Sequence, residues 1–163
     1  MKAIHFAIVL LLTSSCNQGH TDVQQQIPAR TDRLQQQENK TYKPGLGDFM
    51  LAVQMHHAKL WFAGINSNWK LADFELGEIQ ETFQDVQTYN RDRPEIKTIN
   101  MINPPLENIS KAIKKKNVED FKSSFSLLTS TCNNCHRINQ YEFNVITIPN
   151  SPPVNNQNFE VQK

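Results

Sequence analysis

The chain has 163 residues, 38% of them hydrophobic and 20% charged, with 17 Lys and Arg against 16 Asp and Glu and three cysteines. That length predicts one principal domain, and a net charge of +1 argues against a nucleic-acid binder, which needs concentrated basic surface. A bundle of membrane spans is excluded too, because the longest apolar run, Ala3–Leu12, falls well short of the roughly 20 residues that cross a bilayer.

Residues 1–15 read as an export signal: Lys2, the apolar run, then Thr13-Ser14-Ser15 as small residues ahead of Cys16. The Leu-Thr-Ser-Ser-Cys stretch ending at Cys16 resembles a bacterial lipobox, in which the cysteine becomes the lipidated first residue of the mature protein. Ordinary cleavage and a structural cysteine are the alternatives. The lipidated reading implies a periplasmic protein anchored to a bacterial membrane. Residues 16–46 are polar, with Gln triplets at Gln24–Gln26 and Gln35–Gln37, and cannot bury enough surface to offset the entropy of ordering. They are expected to form a disordered tether with a reach of about 30 Å.

From Asp48 to about Gly64, Met50, Val53, His57, Leu60, Trp61 and Gly64 recur at steps of three and four, which predicts an amphipathic helix. Asn66-Ser67-Asn68 breaks it, and Asn68 caps a second helix with Ala72, Leu76, Ile79, Phe83 and Val86 on its inner face. The short turn predicts an antiparallel hairpin. Asn103-Pro104-Pro105 opens a third helix bearing Leu106, Ile109, Ala112 and Ile113. Asn117 caps a fourth, whose seam runs Val118, Phe121, Phe125, Leu128, Cys132 and Cys135. The fold class is therefore all-α, a four-helix bundle over residues 47–140. An extended tail, 141–163, is interrupted by Pro149, Pro152 and Pro153.

Cys132-Asn133-Asn134-Cys135-His136 has the C-x-x-C-H spacing of covalent c-type haem attachment. Two thiols at that spacing meet the two vinyl groups on one edge of a porphyrin, and the adjacent imidazole reaches the iron. A structural zinc site needs a second ligand pair, and a thioredoxin-type dithiol needs a βαβ context; the sequence supplies neither. One haem c is the expected cofactor, with His136 as proximal ligand.

An exported four-helix pattern with this motif on its last helix resembles the cytochrome c′ family and its low-spin relatives. More closely, His57-Ala-Lys-Leu-Trp-Phe-Ala-Gly64, Asn68-Trp69, the Cys132–His136 motif and Asn156-Gln157-Asn158-Phe159 look like a group of bacterial haem-c proteins, over about residues 49–159. That resemblance implies the bundle fold and a homodimer paired through the first two helices. It also implies that Gln54 stands three residues before the distal-side residue, where His57 replaces the family's usual Met or Leu.

On the first helix Met50 and His57 share the inner face, whereas Met55 and His56 point elsewhere. His57 is the expected distal iron ligand, with Met50 or an open distal position as alternatives. Trp61, Phe62 and Trp69 read equally as porphyrin walls or as ordinary core. Lys59 and Arg137 are candidates for haem propionates or solvated charges. Lys111 with Lys114–Lys116 either docks an acidic redox partner or forms a solvated face. The expected function is electron transfer with a redox partner protein, not catalysis. The alternative is a protein that binds nitric oxide or carbon monoxide at an open sixth position. Peroxidatic chemistry using His56 or His57 has no supporting second haem motif or paired carboxylate.

Overall fold

The computed structural model describes Thr31 and residues 44–162; the expected signal, the expected lipidation position Cys16 and most of the expected tether lie outside the described residues. The chain divides into two units, Met1–Tyr42 and Lys43–Lys163, and the bundle is built from the second. Its helices are α1 (Leu46–Ile65), α2 (Trp69–Tyr89), α3 (Asn103–Lys115) and α4 (Val118–Ile138). Among the described residues every regular element is helical, and none is long and apolar enough to cross a membrane.

Capping chemistry sets the helix ends. The Asp48 carboxylate accepts the Gly45 N–H at the start of α1. Asn68 accepts from the Leu71 N–H at the start of α2, and Asn117 from the Glu119 and Asp120 N–H groups at the start of α4, as their side chains predict. The start of α3 differs. Asn103 is the first helical residue and no side chain caps it, because a turn of α-helix at Ile96–Ile99 and a 3-10 turn at Asn100–Ile102 already lead into it.

Three chain reversals share one device. Ser67, Lys116 and Gln140 adopt left-handed φ values of 57°, 53° and 66°. The following amides then bond back to carbonyls five residues earlier: Asn68 to Ala63, Asn117 to Ala112 and Tyr141 to His136.

α1 packs on α2 and α3 on α4; α2 meets α3, and α1 meets α4, closing the bundle. The half nearest the 66–68 and 116–117 turns is filled by aromatic rings. Phe121 lies 6.3 Å from Trp61, 6.2 Å from Trp69 and 5.9 Å from Phe125, centroid to centroid. Gly64 permits this approach of α1 to α4, since a Cβ there would overlap the Phe121 ring. The tail is irregular. It docks at its far end, where buried Phe159 packs on Phe62 and its carbonyl accepts from Asn68.

Candidate functional site

Where α1 begins and α4 ends, the helices surround a cavity of about 620 Å³. That volume lies within the range of pockets that take cofactors and other small molecules. Met50, Val53 and His57 of α1, Phe83 of α2 and Cys132, Cys135 and His136 of α4 line it. Ile99, Met101 and Ile102 add an apolar wall, and Tyr141, Asn144 and Ile146 of the tail complete it.

The two cysteines are free thiols in unlike surroundings. Burial, with a smaller contribution from neighbouring Cys135, pushes the Cys132 thiol up to about 12, so it is uncharged at neutral pH. The Cys135 sulfur lies 3.8 Å from the Thr98 hydroxyl and accepts from the Asn139 amide at 3.5 Å. Asn139 also donates to Thr98 Oγ1, which joins the end of α4 to the Ile96–Ile99 turn.

The two histidines of the cavity carry their protons on opposite nitrogens. His136 Nδ1 is 2.6 Å from the Asn144 carbonyl oxygen. A carbonyl only accepts, so the proton sits on Nδ1 and Nε2 carries the lone pair. For His57 the partner is Thr129 Oγ1, 2.9 Å from Nε2. The Thr129 hydroxyl donates to the Phe125 carbonyl at 3.0 Å, so it accepts from His57, placing that proton on Nε2 and the lone pair on Nδ1. His57 is only 3% exposed and its ring centroid lies 4.3 Å from that of Phe125. Burial lowers its pKa to about 4, so the imidazole is neutral at physiological pH.

One part of the wall is ionic. Arg93 grips the Glu95 carboxylate with two bonds, of 3.1 and 2.7 Å, and the Tyr141 hydroxyl donates to Glu95 at 2.9 Å. The hydrogen bond from Arg93 is the main cause that holds the Glu95 carboxyl down at about 2. The wall therefore carries a neutralised pair rather than a free charge.

The sequence-predicted residues separate under this geometry. Cys132, Cys135, His136, His57 and Met50 all reach one cavity. Trp61 and Trp69 pack against the core ring of Phe121, and Phe62 against Phe159, and none of the three lines the cavity. Neither Lys59 nor Arg137 lines it; Arg93 is the Lys or Arg that does. His56 points away, as the helical period requires, and its Nδ1 pairs at 2.7 Å with buried Glu75. Lys111 and Lys114–Lys116 are exposed on the second half of α3, about 12–20 Å along its axis from Asn103.

Met101, Arg93, Glu95 and Tyr141 escaped the sequence reading. Ile96, Ile99 and Ile102 at intervals of three carry a helical signal that would have placed Met101 near the core; the other three have no such periodicity. Among the described residues no three His, Cys, Asp or Glu side chains converge as a chelating group for a bare metal ion. The cavity instead offers separated donors: two thiols along one helix, an imidazole beside them, and another imidazole and two thioethers on other elements. A flat apolar cofactor with its own metal suits that donor set. No protein-family model, curated protein or solved structure matches the chain.

Proposed function

We propose that the chain is a monohaem c-type cytochrome that transfers electrons in the periplasm, anchored to a bacterial membrane through lipid on Cys16. Cys132 and Cys135 hold the haem covalently through its vinyl carbons, and His136 is the proximal ligand. One observation supports this reading above the rest: both thiols and an imidazole with a bare Nε2 line one apolar cavity of cofactor size. Bound there, haem c supplies a reversible one-electron iron couple.

The residues around it have defined work. Val53, Phe83, Ile99 and Ile102 exclude water, while the Thr98 and Asn139 bonds keep Cys135 in one orientation. The Arg93–Glu95 pair adds no net charge to the wall. His57 is the proposed sixth ligand and Met50 the alternative. A redox partner protein approaches the cavity end, remote from the lysines of α3.

A second reading is binding of nitric oxide or carbon monoxide at an open sixth position. His57 Nε2 is committed to Thr129, so ligation through that nitrogen gives up a buried hydrogen bond worth about 1 kcal/mol, which leaves Nδ1 as the nitrogen with a free lone pair. Oxidised and reduced absorption spectra, recorded with and without carbon monoxide, decide between the two. Electron transfer predicts a low-spin protein that ignores carbon monoxide and becomes high-spin in His57→Ala. A high-spin protein that binds carbon monoxide reverses the order, and no spectral change in His57→Ala rejects His57 as ligand.

A further inference from the structure

The C-x-x-C-H motif leaves its two middle positions chemically open, and here they differ. The Asn134 side chain accepts from Arg137 at 3.5 Å. Asn133 makes a closed pair of bonds with the tail backbone: its amide nitrogen donates to the Ile146 carbonyl, and its oxygen accepts the Ile146 N–H, each at 2.8 Å. Such a pair fixes both the distance and the rotation of the peptide it grips. Two residues earlier in the tail, the Asn144 carbonyl accepts from His136 Nδ1.

The segment between helix and clamp is short and tied at Tyr141 and Asn144. Gln140 reverses the chain after α4, the Tyr141 N–H bonds the His136 carbonyl at 2.7 Å, and the Tyr141 hydroxyl bonds Glu95. Asn144 donates its N–H to the Tyr141 carbonyl at 2.9 Å. Residues 141–146 thus form a strap folded over the last turn of α4, and Asn144 and Ile146 are part of the cavity wall. The sequence accounts poorly for this as burial alone, since Phe143 is 80% exposed.

We propose that Asn133 is a positioning residue for the axial ligand. By fastening the strap at Ile146 it holds the Asn144 carbonyl against His136 Nδ1. That bond fixes the tautomer, orients the ring and makes Nε2 a stronger donor to iron. The proposal rests on the haem reading above. A stronger axial donor favours the oxidised iron, so releasing the strap raises the midpoint potential.

The test uses the full-length, haem-loaded protein and its variants Asn133→Ala, Asn134→Ala, Ile146→Ala and Ile146→Pro. Midpoint potential and the rate of chymotryptic cleavage after Tyr141 or Phe143 are measured for each. Asn133→Ala is expected to speed cleavage and raise the potential by about a tenfold change in the oxidised-to-reduced ratio, which is 59 mV for one electron. Asn134→Ala is expected to leave both near wild type. Measured against Ile146→Ala, which keeps the N–H but loses the same cavity-wall side chain, Ile146→Pro deletes the N–H that Asn133 accepts and leaves the attachment motif intact. It is expected to shift the potential in the same direction, and it carries the test where Asn133→Ala does not load haem. Faster cleavage at an unchanged potential makes the strap merely structural and overturns the positioning role, as does no change in either measurement. A wild-type chain without covalent haem overturns the haem reading and this proposal with it, whereas a loaded wild type indifferent to both variants overturns this proposal alone.

Discussion

At the end of the bundle where α1 turns into α2, side chains fill the interior: Trp61, Trp69, Phe121 and Phe125 pack ring against ring across the helices, and Gly64 is kept small so that Phe121 fits. At the end where α4 finishes, the same helices surround about 620 Å³ walled by Met50, Val53, Phe83, Ile99 and Ile102. The mouth of this cavity is open, with Leu51 65% exposed on its rim, so its apolar wall faces solvent wherever nothing covers it. One end of the core is thus filled by its own side chains, and the other, left incomplete by them, keeps an open cavity. Cys132, Cys135 and His136 belong to the incomplete end, where the proposed haem is the filler.

Removing the attachment points tests that contrast most severely. The double variant Cys132→Ala/Cys135→Ala is expected to lose at least about 4 kcal/mol, the scale set by a tightly held ligand, and with it cooperative thermal melting. Circular dichroism at the helix band checks this, and a native-like cooperative transition would count against the filler. In the filled end, Phe121→Ala is expected to cost about 3–5 kcal/mol and Gly64→Ala about 1–3 kcal/mol. Both should leave the visible absorption spectrum of the purified protein as in wild type. A spectral change from Gly64→Ala would show that the two ends are not independent.

Acid acts on the incomplete end through Glu95. Its carboxyl falls from its ordinary 4.5 to about 2 in the folded chain, so the unfolded chain binds the proton more readily. The stability this contributes is complete above about pH 4.5 and is lost as pH falls toward 2. Glu95→Gln should remove that part of the acid sensitivity, measured as the pH dependence of the urea midpoint between pH 5 and 2. An identical pH dependence in the variant would exclude Glu95 as its source. The smallest effect belongs to Asn68→Ala. It removes the α2 cap and the bonds to the Phe159 and Glu160 carbonyls, and should lower stability by about 1 kcal/mol, read from the same urea midpoint.

What was legible beforehand follows the range of the interactions. Helices with a clear three-four repeat and their Asn68 and Asn117 caps are local properties, and the sequence states them plainly. The convergence of Cys132, Cys135, His136, His57 and Met50 follows from the facing seams of α1 and α4. The commitment of His57 to Thr129, 72 residues away, has no local signature. Arg93, Glu95 and Tyr141 meet through irregular connections, where no period marks the inner face. Trp61 and Trp69 were ambiguous because core and cofactor wall demand the same apolar surface. Only their position along the helix, beside Phe121, separates the two. Asn133 was hidden inside a motif whose spacing says nothing of its middle residues.

The central claim is that a haem bonded to the two thiols completes the hollow end. Its most direct measurement is the intact mass of the denatured full-length protein, produced in cells that mature c-type cytochromes, followed by mapping of the peptide containing Cys132 and Cys135. The account predicts one haem mass that survives denaturation and acidic solvent extraction and resides on that peptide. Unmodified thiols at both positions, in cells that mature a control cytochrome, would contradict it.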